Sequence, residues 1–278
     1  SMSEGAASSR KIREIAAEVS EIQESENPVQ VEEVAGSIEF KNVGLRLNDT
    51  QILKDINFKV EKGKTIGIMG NTGSGKSSLI NLLVRFYDVT EGEILLDGIN
   101  IKDYSLKDLR KNISLVMQDV FLFSDSIEEN IKLGSKEKIT SEDMEEAARI
   151  GGAKEFIDKL EHKYETVIGE RGIGLSGGQK QRLSIARAVA KKAPIIVFDD
   201  STSALDMETE KKIQREIKNM TGVTQVVVAH RISAVRNADE IIVLERGKIV
   251  ERGTHQELME LEGRYYGTFN EQYEGFFE

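Results

Sequence analysis

The sequence lacks cysteine and tryptophan, and only two prolines occur among its 278 residues. Without cysteine the chain forms no disulfide bond and offers no thiolate to a metal, and its three scattered histidines argue against a zinc cluster. No apolar run approaches the roughly 18 to 20 residues needed to span a bilayer, and the N-terminus lacks the apolar core of a signal peptide. The chain as given is therefore expected to be soluble.

Basic charge is also in deficit, because 38 Lys and Arg residues stand against 48 Asp and Glu residues, for a formal net charge of −10. This balance argues against broad nonspecific binding of nucleic acid, which works through phosphate neutralisation by a positive surface. A local basic pocket remains compatible with it. A chain of this length buries about three quarters of its unfolded surface, so we expect one large domain or a domain with a subdomain.

Residues 1–36 are polar and acidic, and we interpret them as a linker that contains a helix. The segment 11–24 places apolar residues at helical spacing before Pro28 ends the pattern, namely Ile12, Ile15, Val19 and Ile22. The leading Ser-Met is typical of an expression-tag remnant. The folded domain is predicted to occupy residues 37–278.

From residue 38 onward, short β-branched runs alternate with helical patterns, which predicts an α/β layer architecture. Helix is predicted over roughly 75–87, and the stretch of about 120–190 is predicted to be a helical insertion. Capping boxes are expected at Ser126 with Glu129 and at Thr254 with Glu257. Strands are predicted at 37–43, 52–60, 65–69, 194–198 and 224–229, with a hairpin over 240–253 that turns at Arg246 and Gly247.

The stretch "GNTGSGKS", residues 70–77, fits the pattern G-x-x-x-x-G-K-[ST] and lies between an apolar strand and a helix, where a phosphate-binding loop belongs. Its glycines let consecutive backbone N–H groups surround phosphates, and the helix N-terminus adds a favourable dipole. Lys76 supplies a point charge and Ser77 a magnesium ligand. The alternative is a glycine-rich turn that only caps a helix.

Two carboxylates follow the apolar strand "IIVF", at Asp199 and Asp200. An enzyme with a phosphate loop usually holds magnesium with an acidic residue at the end of a buried strand, and Asp199 fits that position. Asp200 would then face the γ-phosphate, where a carboxylate polarises the attacking water. The alternative is that both are carboxylates of a surface turn.

The stretch "LSGGQKQRLSIARA", residues 175–188, resembles the signature motif of ABC transporter ATPases. The chain from residue 37 to its C-terminus looks like one nucleotide-binding domain of an ABC exporter, with the motifs in the family's order. After the phosphate loop come Gln118 as the Q-loop, "TVIGERG" (166–172) as the X-loop, the signature, Asp199, "SALD" (203–206) as the D-loop, and His230 as the switch histidine. By resemblance, "FLF" (121–123) and "IGERG" (168–172) are where a membrane-domain coupling helix docks.

The resemblance implies a P-loop NTPase core with an antiparallel β subdomain and a helical subdomain, using ATP and Mg²⁺. The implied catalytic residues are Asp200, His230 and Gln118, and the implied metal ligands are Ser77, Gln118 and Asp199. The implied nucleotide contacts are Leu47, Gly70, Asn71, Thr72, Gly73, Ser74, Gly75, Lys76, Ser77 and Ser78, together with Ser176, Gly177, Gly178 and Gln179 of the signature.

The signature residues open a helix of their own, so they are expected to form a second anion site with free N–H groups, far from the phosphate loop. The family closes each ATP between the phosphate loop of one domain and the signature of its partner in a head-to-tail dimer. The implied partners are a second nucleotide-binding domain and the transmembrane domains of the same half-transporter, with no nucleic acid. The resemblance also implies that residues 1–36 are the linker that follows the last transmembrane helix, and the implied place is the cytoplasmic face of the cell membrane.

Two positions depart from the family. Glutamate usually follows the magnesium aspartate, and the shorter Asp200 is expected to sit more than about 1 Å from the ideal position, which costs on the order of a hundredfold in rate. This resembles the degenerate site of heterodimeric bacterial exporters and favours a heterodimer over a homodimer. Leu47 replaces the aromatic residue that stacks on adenine, which loses about 1 kcal/mol and predicts relaxed adenine selectivity.

Two other functions remain open at this point. One is a regulatory module that binds ATP to stabilise a dimer and does not hydrolyse it, which Asp200 favours and which His230 and Gln118 oppose. The other is a soluble ABC protein acting on DNA or ribosomes, although such proteins usually carry two of these domains or a long coiled coil.

Overall fold

The computed structural model describes residues 2–18, 20–133, 138–169 and 174–273, and these residues form two sheets with helices packed around them. The smaller sheet is antiparallel, with strand order β2-β1-β4-β5. Its strands are β1 (Ile38–Leu47), β2 (Thr50–Val60), β4 (Glu91–Leu96) and β5 (Ile99–Asn100). The chain passes from β2 into the larger sheet through β3 (Thr65–Gly70).

The larger sheet has six strands in the order β10-β9-β3-β8-β7-β6, parallel except for the edge strand β10. Its other strands are β6 (Ile113–Val116), β7 (Ile195–Asp199), β8 (Thr224–Val228), β9 (Glu240–Glu245) and β10 (Lys248–Gly253). A parallel sheet is covered on both faces and therefore needs near-continuous apolar strands, and the first four residues of β7 are all buried. The carboxyl ends of β3, β8, β7 and β6 consequently meet at one edge.

Eleven α-helices complete the described chain. Helices α4 to α7 build a second apolar cluster beside the sheet, which confirms the predicted helical insertion. The helices are α1 (Met2–Ala16), α2 (Lys76–Leu83), α3 (Leu106–Lys111), α4 (Ile127–Ile131), α5 (Ser141–Ile150), α6 (Lys154–Ile157), α7 (Gly177–Ala190), α8 (Met207–Lys218), α9 (Ile232–Val235), α10 (His255–Glu260) and α11 (Arg264–Tyr273), with short 3₁₀ turns at Ile101–Asp103 and Lys163–Glu165.

A half-buried arginine of α7, Arg187, links this helix to the rest of the helical insertion. Arg187 donates hydrogen bonds to the backbone oxygens of Phe121 at 2.9 Å and Asn130 at 2.8 Å. Asn130, 1% exposed, in turn bonds the backbone N–H and oxygen of Phe123 at 2.9 and 3.0 Å. Burial lowers the pKa of Arg187 to about 10, so the guanidinium stays charged at neutral pH.

The predicted fold class is confirmed, and the structure contains every predicted strand and the hairpin over 240–253. Strands β4, β5 and β6 were not predicted, because periodicity does not distinguish a short buried apolar run from a turn of helix. Helix α2 ends at Leu83 rather than near residue 87, since Arg85 takes a positive φ of 54° and is buried against Asp88. The boundary between linker and domain at residue 36 stays a prediction.

The prediction of a helix over 11–24 is wrong in its position, because α1 spans Met2–Ala16. The hydroxyl of Ser20 bonds the backbone of Ile22 as donor and acceptor, at 3.1 and 3.2 Å, and such local bonds compete with helix. Ile12 and Ile15 are 67% and 72% exposed, so their burial does not stabilise a longer helix. Val19 lies outside the described residues.

Capping of the later helices follows the prediction closely. Ser126 accepts the N–H of Glu129 at the start of α4, and Thr254 forms a full capping box with Glu257 at the start of α10.

Within the described ranges, no helix has the length and apolar character required to cross a membrane.

Candidate active site

The phosphate loop, residues 70–77, joins the carboxyl end of β3 to the first turn of α2. Gly70, Gly73 and Gly75 take positive φ values of 153°, 78° and 109°. A Cβ atom at Gly70 would lie 2.4 Å from the backbone oxygen of Leu244, and one at Gly75 would lie 2.6 Å from a side chain of β2. Both positions therefore exclude a side chain, which explains why the loop has glycine there.

Lys76 is 7% exposed and folds back over the loop. Its Nζ atom donates hydrogen bonds to the backbone oxygens of Gly70 at 2.6 Å and Asn71 at 3.0 Å. Burial lowers the pKa of Lys76, while the charges of Asp199 and Asp200 act in the opposite direction. A cation is thus held at the centre of the loop before any anion arrives.

Asp199 is the last residue of β7 and pairs with Val228 of β8. Burial raises the pKa of Asp199, and the adjacent charge of Asp200 raises it further, while Lys76 and His230 lower it. Asp200 takes a left-handed φ of 43°, and its N–H donates to the backbone oxygen of Val228 at 2.8 Å. Two carboxylates are therefore forced close together beside the phosphate loop.

Gln118 and His230 follow the strands on either side of β7. Gln118 is exposed two residues after β6, and His230 comes two residues after β8. The fold thus places Gln118, Asp199, Asp200, His230 and the phosphate loop at the same carboxyl edge of the sheet.

An open cavity of about 530 Å³ lies over the phosphate loop. The hydroxyl of Ser74, which lies within the loop, is buried without a hydrogen-bond partner among the described atoms, and this favours an external polar ligand. Ser77 and Ser78 lie in the first turn of α2, with Ser77 exposed. The cavity is lined by Gly70, Asn71, Thr72, Gly73, Ser74, His230, the β9–β10 turn and α11.

Leu47 ends β1 at the tip of the β1–β2 hairpin, half-buried against the core beneath the antiparallel sheet. It does not belong to the described lining of the cavity over the phosphate loop. Its contact with a base stays a prediction.

The signature residues form the N-terminus of α7. The Ser176 side chain accepts the N–H of Gln179 at 3.3 Å, and the Gln179 side chain accepts the N–H of Ser176 at 2.8 Å. The expectation of free N–H groups is therefore wrong for these two amides, because a capping box occupies both. An incoming anion is left with Gly177 and Gly178.

The same helix start contacts the segment after β7 rather than the phosphate loop. The backbone N–H of Ala204 donates to Gln181 Oε1 at 3.1 Å, and a Cβ atom at Gly178 would lie 3.2 Å from the Ala204 oxygen. None of the residues 176–179 lines the described cavity over the phosphate loop. In a single chain, the N-terminus of α7 is therefore separate from the phosphate loop.

Sequence reasoning missed the contribution of the β9–β10 turn and of α11 to the cavity wall. Glu245 and Arg246 line the cavity from the turn, and Tyr265, Thr268 and Glu271 line it from α11. The turn residues carried only a hairpin signal, and periodicity of the last helix does not report where it packs. Residues 170–172 of the predicted X-loop lie outside the described residues.

The family profile described as ABC transporter matches residues 53–203, which is just over half of the chain. This chain belongs to the ABC transporter family. Its resemblance to an exporter nucleotide-binding domain is confirmed, whereas its assignment to the degenerate half of a heterodimer is not.

Curated relatives of this ABC domain include the ATP-dependent lipid A-core flippase of Pasteurella multocida, 51% identical over 237 residues, which are 84% of this chain and 41% of that protein. The flippase of the same name from Haemophilus influenzae is 45% identical over 258 residues, or 92% of this chain and 44% of that protein. The chain thus spans less than half the length of these relatives. A solved structure of a bacterial Atm1-family ABC exporter with ATP bound matches with a TM-score of 0.91 at 35% identity, over 98% of this chain and 48% of that one.

Membership of the family assigns ATP binding to this domain, and the site fits a nucleotide with magnesium. Within the described ranges, no three His, Cys, Asp or Glu side chains converge to hold a metal ion. Mg²⁺ is commonly held by one or two carboxylates together with substrate phosphates. The half-buried Asp199, whose charge is disfavoured beside Asp200, is suited to that role.

Proposed function

We propose that this chain is a magnesium-dependent ATPase domain that drives export across a membrane by closing head-to-tail on a second nucleotide-binding domain. The observation that carries the proposal is the separation, within one chain, of the phosphate loop from the N-terminus of α7. The phosphate loop with Asp199 lies at the sheet edge, and the N-terminus of α7 faces the 203–205 segment instead. A second domain would bring its own α7 to the open phosphate loop, forming two composite sites by approximate two-fold symmetry.

Each functional residue at the carboxyl edge of the larger sheet has one role in the proposed reaction. The loop amides and Lys76 would hold the β- and γ-phosphates, and Ser77, Gln118 and Asp199 would hold Mg²⁺, which would neutralise the phosphate charge. Asp200 orients and polarises the attacking water, and His230 bonds the γ-phosphate. Loss of the γ-phosphate then removes contacts to the partner signature, so the two halves separate.

We infer slow hydrolysis at this chain's own site, because Asp200 is one methylene shorter than the usual glutamate. A regulatory module that binds ATP without turnover is the second candidate, and the same residue favours it. The intact Gln118, His230 and phosphate loop favour slow turnover over none. Pairing with a different chain remains a prediction that the comparisons do not support.

The whole transporter is proposed to place this domain at the cytoplasmic face, beside its own transmembrane domains. The curated relatives are named lipid A-core flippases, so we take an amphipathic lipid as the working substrate class.

A mixing experiment tests the composite site. Lys76→Ala removes the phosphate cation but keeps the signature, and Ser176→Arg blocks the signature but keeps the phosphate loop. We expect neither variant alone to release phosphate from ATP and magnesium, whereas an equimolar mixture regains up to about a quarter of the parent rate, because half of its dimers carry one intact composite site. ATP binding by the Ser176→Arg chain is the control for folding.

A mixture that stays inactive while the parent turns ATP over contradicts the head-to-tail site. If the parent is inactive too, the assay is repeated with a candidate partner chain that carries glutamate after its magnesium aspartate. Turnover only in that mixture supports the heterodimer, and ATP binding without turnover in either mixture supports the regulatory module.

A further inference from the structure

The last turn of α11 is bonded to the segment that carries His230. Gln272 Nε2 donates to the backbone oxygen of His230 at 2.7 Å, and Gln272 Oε1 accepts the backbone N–H of Ile232 at 2.9 Å. One side chain therefore bridges the two peptide groups that flank Arg231, between the end of β8 and the start of α9.

The start of α11 is itself firmly anchored to the sheet. The carboxylate of Glu251 on β10 accepts the backbone N–H groups of Arg264 and Tyr265, the latter at 3.0 Å. Tyr265 is 1% exposed, and its hydroxyl lies 2.8 Å from His255 Nδ1. Further along, Phe269 packs on the apolar cluster that contains Ile232 and the rest of α9's buried face. The helix is thus rigid enough to hold what its last turn touches.

The same helix is linked to the phosphate loop through the turn between β9 and β10. Arg264 Nε forms a 2.8 Å ion pair with Glu245 at the end of β9. Two residues on, the N–H of Gly247 donates to the backbone oxygen of Ser74 at 3.0 Å. Helix α11 therefore connects the phosphate loop to the His230 segment along one wall of the cavity.

The opposite side of the His230 segment is held by the chain that follows β7. Arg231 Nη2 donates to the backbone oxygen of Ser203 at 3.0 Å, and Arg231 Nη1 lies 3.7 Å from the buried carboxylate of Glu210. The segment is thus held from two directions, and Gln272 supplies the contacts on the α11 side.

We propose that Gln272 is a positioning residue for the ATPase reaction, fixing the backbone of His230 so that its imidazole is directed into the cavity above the phosphate loop. This inference rests on the proposed function, in which His230 bonds the γ-phosphate. A displacement of about 1 Å in a reacting group costs on the order of a hundredfold in rate, so a loosened backbone is expected to reduce turnover without reducing ground-state binding of ATP.

The chemistry of the bridge requires an amide. Gln272 donates to one peptide group and accepts from the next, and a side-chain amide offers both functions in one planar group at neutral pH. Glutamate at this position keeps the acceptor for Ile232 but loses the donor for His230. Leucine keeps the approximate size and loses both.

The experiment compares the 278-residue parent with Gln272→Glu, Gln272→Leu and the control Gln256→Ala. Gln256 lies on α10 and bonds only within that helix, to Glu260 at 3.0 Å. We expect kcat for ATP with magnesium to fall about tenfold to a hundredfold in both Gln272 variants, with the Kd for ATP within twofold of the parent and Gln256→Ala unchanged. Single-turnover release of γ-phosphate with protein in excess makes a slow parent measurable.

A double-mutant cycle separates positioning from general damage. Adding Gln272→Leu to a His230→Ala chain should cost less than twofold, since the group that Gln272 positions is already absent. If the two losses multiply instead, or if Gln272→Leu stays within twofold of an active parent, the role of Gln272 is overturned and the proposed function stands. A parent without turnover, alone and with a partner chain, overturns the proposed hydrolysis and the role of Gln272 together.

Discussion

Replacing Asp200 with glutamate tests whether one methylene limits the reaction. The longer side chain moves the carboxylate outward by about one C–C bond, or ~1.5 Å, which matches the shortfall expected from the family pattern. A gain on the order of a hundredfold in turnover is expected, since that is the rate cost of a displacement of about 1 Å. ATP binding should change little, because Asp200 acts on the attacking water and is not among the groups that hold the phosphates in the proposed arrangement.

The structure adds a cost that the sequence did not show. Asp200 has a left-handed φ of 43°, and its N–H is committed to the backbone oxygen of Val228. Left-handed backbone costs roughly 1–2 kcal/mol for most L-residues, and aspartate is among the few that occupy it readily. We therefore expect Asp200→Glu to lower the free energy of unfolding by about 1 kcal/mol, which lowers the melting temperature by about 2–4 °C in a domain of this size.

The assay pairs phosphate release with thermal unfolding, at concentrations high enough to populate a dimer. Asp200→Asn serves as the matched control, because asparagine tolerates left-handed backbone and keeps the size while it removes the carboxylate. Its turnover should fall below that of the parent, with an unchanged melting temperature. Equal turnover of the parent and Asp200→Glu, with ATP bound and dimers formed in both, would refute the idea that side-chain length limits the site.

Three further outcomes are expected from the geometry. Asp199→Asn should raise the melting temperature of the nucleotide-free chain and abolish stabilisation by ATP with magnesium. Because the pKa of Asp199 is raised in the folded state, the contribution of Asp199 to the free energy of unfolding is full at low pH and is lost as pH rises through that pKa. The melting temperatures of the parent and of Asp199→Asn should therefore converge in acid. Leu47→Tyr should tighten binding of ATP by about fivefold, as measured by titration calorimetry, since a ring that stacks on the base recovers about 1 kcal/mol, and an unchanged Kd would count against contact of this position with the base. Gly247→Ala should cost more than about 2 kcal/mol in chemical unfolding, because φ is 75° and a Cβ atom would lie 2.1 Å from the backbone oxygen of Ile52.

The parts of this molecule that were predictable are those encoded by local pattern. The phosphate loop, the strand that ends at Asp199 and the hairpin over 240–253 each carry their signal within a short stretch, and the structure places them as expected. The wall formed by α11 was not predictable, because Gln272 and Arg264 have no local pattern that names a partner distant in sequence. The capping box at Ser176 was present in the sequence as Ser-Gly-Gly-Gln. The glycines predicted free amides, although the glutamine at the fourth position accepts the N–H of Ser176.

The hydrogen bonds of Arg187 connect α7 to the exposed aromatic segment 121–123. Phe121 and Phe123 expose 55% and 47% of their surface, while the backbone oxygens of this short segment are held by Arg187 and Asn130. A displacement of this segment is therefore expected to act on α7 through Arg187, which lies near the opposite end of the helix from Gly177 and Gly178. A contact made at the aromatic surface and a contact made at the helix N-terminus thus bear on the same helix, and we expect each to influence the other.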